Sequence, residues 1–279
     1  MPIHDQSYRR YAGVRTPPGR SWTVIASAGI KAMLAKRKFL GLLIVAWLPF
    51  VVRAVQLYLA ANFPQMSVIS PSPGTFRQFL DQQGVFTFFI TIFTGAGLIS
   101  NDLRANALQI YLSKPVGRLE YVAGKFTVLA FFLLLVTWLP ATLLLFVQVV
   151  FAGSVAFVAA NLYLLPAILI ATCVETTVVA LVMLALSSLS KSARFVGVMY
   201  AGVFFFTAAL HGVVQAATRE SGFCWMSLRA SLQNVGDLIF RVPPRSDTPA
   251  WGAALALAAT VAASAWILER RVRGVEVVT

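Results

Sequence analysis

Apolar runs long enough to cross a hydrocarbon layer recur six times along this chain, and charge, proline and glycine collect between them. The runs lie at roughly Phe39–Ala61, Gly84–Ser100, Phe126–Phe151, Leu164–Leu186, Phe195–Ala216 and Trp251–Leu268. A helix needs about 20 predominantly apolar residues to span a bilayer core. The second run is the weakest, because its apolar part is short and Gly95 and Gly97 interrupt its end. No internal repeat, heptad run or low-complexity tract stands out. The pattern predicts an all-α polytopic membrane protein with six transmembrane helices, forming one membrane domain over residues 1–279.

The segments between the runs have patterns of their own. Residues 1–38 form a leader rich in Tyr, Arg and Pro as far as Arg20, followed by "SWTVIASAGIKAMLAKRK". Trp22, Ile25, Ile30, Met33 and Leu34 stand there among cations, which predicts a short helix in the membrane interface before the first span. The alternative is a simple extension of that span. Residues 62–83, with Pro64, Pro71 and Pro73, predict an outer loop. Residues 218–250 place Trp225, Leu228, Leu232, Val235, Leu238 and Ile239 at helical spacing and end at Pro243 and Pro244. An amphipathic helix resting on the outer leaflet, or dipping into it, is expected there.

Composition sharpens the class. Hydrophobic residues make up 58% and charged residues 12% of the chain, against about 25% charged in soluble domains. The net charge of +13 could suggest nucleic acid, but in a membrane chain the placement of Lys and Arg reports orientation instead. Seventeen cations fall in the leader, the second-to-third connector, the fourth-to-fifth connector and the tail, against five in the opposite connectors. Both termini are therefore expected in the cytoplasm, beside anionic lipid, with no nucleic acid partner. Cys173 falls in a span and Cys224 in a loop, so no disulfide is expected, and His4 and His211 are too isolated for a metal site. No cleavable signal peptide is evident, since the first apolar run follows a long basic leader.

The stretch "SKPVGRLEYVAGKF", Ser113 to Phe126, holds the chain's Gly-Lys pair. A phosphate-binding loop needs four residues between its glycines and a Ser or Thr after the Lys. Six residues separate Gly117 from Gly124, and Phe126 stands in the hydroxyl's place, so no nucleotide is expected on this segment. Upstream, Ser100 or Asn101 can cap a helix and Asp102 suits its N-terminus. Leu103, Ala107 and Ile110 share one face of it, while Arg104, Asn106 and Gln109 lie elsewhere. Pro115 ends the turn, and a second helix, helped by Glu120, leads into the third span.

The whole connector, "GAGLISNDLRANALQIYLSKPVGRLEYVAGK", resembles the signature of type-2 ABC transporter permeases, and the tail "RRVRGVEVV" is similar to theirs. The resemblance implies a bacterial inner-membrane exporter permease that is not itself an enzyme. It would pair with a second permease copy, as a homodimer, and with two separate ATPase subunits. ATP and magnesium would then be bound in the partner, with no cofactor in this chain. Residues 101–125 and the leader would dock that partner. The implied contacts are Asp102, Arg104, Asn106, Lys114, Pro115, Arg118, Glu120, Tyr121 and Lys125.

Two charges lie inside spans. Glu175, in "ATCVETTVVAL", sits near the middle of the fourth. A bare carboxylate there costs at least ~2.5 kcal/mol, so it should be protonated, partnered or facing water. Thr172 and Thr176 are near enough in sequence to assist. The functional reading is a contact for substrate or protons; the structural one is an interhelical hydrogen bond. Arg53, in the outer half of the first span, is expected to snorkel outward, with pairing to Glu175 as the alternative. Thr87, Thr91 and Thr94 line one face of the second span and suit packing better than cargo. Gly95 and Gly97 suit close helix approach or a bend.

Three other readings remain open at this stage. An ion-coupled carrier or channel would use Glu175 as its coupling acid but leaves the connector without a role. A membrane enzyme finds no support, because neither HExxH nor GxSxG occurs and no two acids lie close together in the spans. A complex that transmits force to envelope proteins through residues 218–250 would present the same connector.

Overall fold

The computed structural model describes residues 20–63, 72–107, 117–219 and 222–272. Among the described residues 84% are helical and no strand occurs. Six helical stretches are long and apolar enough to cross a membrane: Arg37–Asn62, Pro73–Arg104, Arg118–Ala152, Leu164–Leu189, Ala193–Thr218 and Ala250–Arg271. Before them comes α1 (Ser21–Leu34), separated from the first span by a break at Ala35 and Lys36. It is a helix in its own right and not an extension of that span.

Spans 1 and 3 bend at the same three residues. The first divides into α2 (Arg37–Ala46) and α3 (Leu48–Asn62) at Trp47, within Trp47-Leu48-Pro49. The third divides into α6 (Arg118–Val136) and α7 (Trp138–Ala152) at Thr137, just before Trp138-Leu139-Pro140. Each proline lacks an N–H and crowds the carbonyl four residues back, which breaks the ladder. In hydrocarbon the exposed backbone must be satisfied from within the protein. At the first bend the Gln83 side-chain amide of span 2 donates to the Ala46 carbonyl at 3.2 Å. Beyond their bends, α3 and α7 pack together.

The second span departs most from expectation. Its helix α4 (Pro73–Gly95) starts eleven residues before the apolar run, so the second half of the expected outer loop is helix. Ser72 supplies a capping box with Thr75, and Pro73 takes the first helical position, where its missing N–H costs nothing. Arg77, Asp81, Gln82 and Gln83 hid this turn by lowering its hydropathy. Arg77 and Gln83 are buried; Arg77 and the side-chain N–H of Gln83 find partners inside the protein, while Gln83 Oε1 has none among the described residues.

The following elements are α5 (Ser100–Arg104), α8 (Ala156–Ala160), α9 (Leu164–Leu189), α10 (Ala193–Thr218), α11 (Leu228–Ile239) and α12 (Ala250–Arg271). Spans 2, 3 and 4 form the centre, with 56% of their apolar windows buried, whereas span 5 has 11%. Phe39, Leu129, Phe132 and Met183 fill a core toward the connector end. Leu57, Phe76, Phe79, Leu144 and Phe240 fill a second toward the opposite, far end. Val198, Phe205, Phe206 and Val213 of α10 stay exposed, as suits a surface facing lipid or another subunit.

Candidate coupling surface and intramembrane pocket

At the connector end the chain builds a compact joint. The Tyr121 hydroxyl donates to Asp102 Oδ2 at 2.7 Å, and Lys125 Nζ pairs with the same oxygen at 2.7 Å. The Lys125 ammonium also lies 5.4 Å from the centre of the Tyr121 ring. Tyr121 is buried and Lys125 lies one turn further along α6, so a carboxylate on α5 meets both. Helix α5 is thereby tied to the start of span 3.

Helix α1 lies across the same turns of α6. The crossing is close because glycine meets side chain on both helices. A Cβ at Gly124 would stand 2.8 Å from Ile25 Cβ and 3.0 Å from the Trp22 carbonyl oxygen, and one at Gly29 would stand 2.5 Å from Val128 Cγ2. The Gly-Lys pair thus lies inside a helix, where its glycine admits α1 and its lysine holds α5.

The bend between α4 and α5 is held from span 4. Ser187 Oγ accepts the backbone N–H groups of Ile99 at 3.1 Å and Ser100 at 3.0 Å. It donates in turn to the Ala96 carbonyl at 3.0 Å. The expected cap from Ser100 or Asn101 is replaced: Ser100 Oγ turns back to the Ala96 carbonyl, and α5 has no side-chain cap of its own. Gly95 serves close approach, since a Cβ there would strike the Met183 side chain of α9. Nothing in sequence separates Ser187 from any other serine in an apolar span, so its role was not legible.

The candidate docking residues divide by environment. Asp102, Tyr121 and Lys125 are engaged with one another. Arg104, Asn106 and Arg118 are exposed. Asn106 has φ +52°, a left-handed conformation that Asn tolerates, and α5 has ended just before it. Helix α5 ends at Arg104, and Gln109 and Ile110 of the expected face lie outside the described residues. Glu120 is half-buried in the first turn of α6, and its Oε2 has no hydrogen-bond partner among the described residues. Lys114 and Pro115 lie outside the described residues.

At the far end, α11 packs against α12 and α4. It buries Ser231, Asn234, Gly236 and Asp237, while Trp225 and Leu238 are exposed. The sequence reading of an apolar face placed on a leaflet is therefore incomplete, because the polar face points into the protein. Arg77 explains this. Its Nε donates to Asp237 Oδ1 at 2.9 Å, one terminal nitrogen to Asp81 Oδ1 at 2.7 Å and the other to the Gln233 carbonyl at 3.0 Å. Arg245 completes a ring, reaching Asp81 Oδ2 at 2.6 Å and Asp237 Oδ2 at 3.4 Å. Burial pushes the Asp237 carboxyl above its ordinary range, against the pull of Arg77 and Arg245. A Cβ at Gly236 would lie 2.8 Å from the Arg77 guanidinium, so glycine makes room for it. The i,i+4 spacing of Arg77 and Asp81 was visible in sequence; their partners about 160 residues away were not.

Glu175 lines a pocket of about 60 Å³ enclosed by spans 2, 4 and 5 and roofed by α11. Thr172 does not assist it, since its hydroxyl bonds the Ile168 and Leu169 carbonyls of its own helix. Among the described residues the Glu175 carboxyl has no hydrogen-bond or ion-pair partner. Arg53 does not snorkel. It is 5% exposed, and its Nε donates to Gln82 Oε1 at 3.2 Å, so Gln82 and not Glu175 is its partner. Thr91 Oγ1 bonds the Thr87 carbonyl at 2.6 Å, which is a packing arrangement.

The sequence profile of the ABC-2 family transporter protein matches residues 24–246. That match runs from α1 through the first five spans, the connector and α11. The chain belongs to this family. It is a multi-pass membrane component of an ABC transporter, and catalysis is not a property of such components. No curated protein matches the chain.

Proposed function

We propose that this ABC-2 chain is the permease subunit of a bacterial inner-membrane exporter, driven by a separate ATPase docked at the connector end. The single observation that carries this reading is the continuity of the joint. Exposed Arg104 and Arg118 stand on α5 and α6, with Asn106 just beyond α5, and these helices are fixed to α1 through Gly124, to span 3 through Asp102, and to span 4 through Ser187. A partner that moved this platform would move three spans with it. The excess of Lys and Arg at this end supports a cytoplasmic location for it and for both termini.

Two permeases, as a homodimer, and two ATPases form the working unit, with ATP and magnesium held in the ATPases. The exposed apolar face of span 5 supports a second copy beside this one. Glu175 and Arg53 are polar groups in the spans along which cargo would pass.

The test is to purify the protein from its own host membrane, beside an Arg104→Glu/Arg118→Glu variant. These side chains are exposed, so the fold is retained. The expected result is an ATPase that accompanies the unaltered protein and is lost from the variant. A protein that arrives alone and moves ions in vesicles would overturn the reading in favour of an ion-coupled carrier.

A further inference from the structure

Glu175 faces its pocket without a bonded partner among the described residues. Arg77 and Arg245 are positive, Asp81 and Asp237 negative, and the four bond one another at 2.6–3.4 Å. Arg77 also donates to the Gln233 carbonyl. The four charges of that ring balance one another, and none of them forms an ion pair with Glu175. Arg229 also lines the pocket, but it is exposed and forms no ion pair with Glu175.

The wall beside Glu175 is aromatic. Phe88 stacks on Tyr200 with ring centres 5.6 Å apart and meets Phe204 at 5.0 Å, while Tyr200 and Phe204 lie 6.3 Å apart. All three rings line the pocket. Ring faces attract cations, and desolvation strengthens the attraction. Hard metal ions want six or more oxygen ligands, which the Glu175 carboxyl, the Thr87 hydroxyl and an Asp81 carboxylate already paired with two arginines do not supply. Among the described residues there is no group of three His, Cys, Asp or Glu suited to a metal. Next to the pocket runs an apolar groove of about 430 Å³ between α9 and α12, sharing Val174 and Val235 as walls.

We propose that this pocket binds the ammonium group of an amphiphilic organic cation, with Glu175 as counter-ion, Phe88, Tyr200 and Phe204 as its aromatic wall, and the neighbouring groove for its apolar part. A pocket of about 60 Å³ suits a small alkylammonium headgroup and not a whole large molecule. The proposal names the ligand class of the pathway proposed above. Its place in transport rests on that reading, whereas the binding does not.

The experiment uses the full chain in dodecyl maltoside, an uncharged detergent, without nucleotide or ATPase. The probe is radiolabelled benzyltrimethylammonium, competed with its unlabelled form, with its uncharged carbon isostere neopentylbenzene, or with benzenesulfonate. The unlabelled cation is expected to displace the label, and the two other compounds at least tenfold less well, as the charge-dependent share of ring and carboxylate attraction implies. Glu175→Gln should weaken binding about tenfold, with Glu175→Asp retaining part of it, and Phe88→Leu or Phe204→Leu about fivefold each.

Displacement by the neutral isostere as readily as by the cation would overturn the proposal, and so would unchanged affinity in Glu175→Gln. Preference for the sulfonate would overturn it too, in favour of an anion site at Arg229. The competition arms use the unaltered chain, so they decide the matter even if a variant fails to fold. Binding without a copurifying ATPase would break the permease reading alone; an ATPase without binding would break this proposal alone.

Discussion

Two charged clusters mark the two ends of this protein, and they are built on different principles. At the connector end, Asp102, Tyr121 and Lys125 lie within 24 residues of sequence and on two successive helices, and the side chains of the ion pair keep 17% and 14% of their exposure. At the far end, Arg77 and Asp237 are 160 residues apart, with side chains 7% and 0% exposed. The first is a local tie surrounded by free charges such as Arg104 and Arg118. The second is a closed ring that holds α11 against span 2. A partly hydrated pair near the surface contributes little and can be remade. Arg245 at the rim of the ring is partly exposed, but the Arg77–Asp237 pair at its centre is buried and leaves an unpaired charge if one member goes, and so resists opening. The connector is thus suited to a joint that moves under a partner, and the far end to a fixed roof over the Glu175 pocket.

The contrast can be broken first at Arg77. Arg77→Leu leaves Asp237 buried beside Asp81 with only Arg245 to meet them, which should cost about 3–5 kcal/mol. Thermal unfolding in detergent should show the largest loss of any substitution named here, partly restored by adding Asp237→Leu. A loss no greater than that at Asp102 would remove the distinction between the ends.

Gly236→Ala tests the same ring without removing a charge. The guanidinium that its Cβ would strike is the end of a flexible side chain, but three partners hold it in place. Displacement should cost about 1–3 kcal/mol, the usual range for overpacking, read as a lowered Tm with exposure of α11 to protease. An unaffected Tm would mean that Arg77 is free to shift.

Ser187→Ala takes the acceptor from two backbone N–H groups at the bend below span 2. About 1–2 kcal/mol is expected for donors left without a partner. The local readout is faster hydrogen exchange at Ile99 and Ser100, with the far end unchanged. Exchange that stayed slow would show that this bend does not depend on span 4.

Asp102→Asn should have the smallest effect on stability, about 1 kcal/mol or less, since its pairs keep contact with water. Its unfolding should also depend less on salt than that of the unaltered protein, because salt screens a partly hydrated ion pair. A loss as large as that at Arg77 would show that the connector is a rigid core element and not a joint.

How much of this was legible depends on range. Runs of apolar residues are a local property, so the six spans, the separate leader helix and the position of the connector follow from the pattern of residues alone. Glu175 could be singled out because an acid in a span is exceptional wherever it points. The start of span 2 was not legible, because Arg77 and Gln83 read as solvent-facing until their partners are in place. The Ala46 carbonyl that receives Gln83 and the Asp237 that receives Arg77 come from elements remote in sequence.

The sequence by itself determined what must leave water and which short segment carries charge between two spans, since hydropathy and spacing act over a few turns. Only the tertiary structure decided which polar groups satisfy one another. It placed Arg53 on Gln82, turned the polar face of α11 inward, set Ser187 under the bend, and left Glu175 beside three aromatic rings. The physical reason is that a buried polar group is held by its partner and not by its neighbours in the chain, and hydrogen bonds form at about 3 Å whatever the separation in sequence.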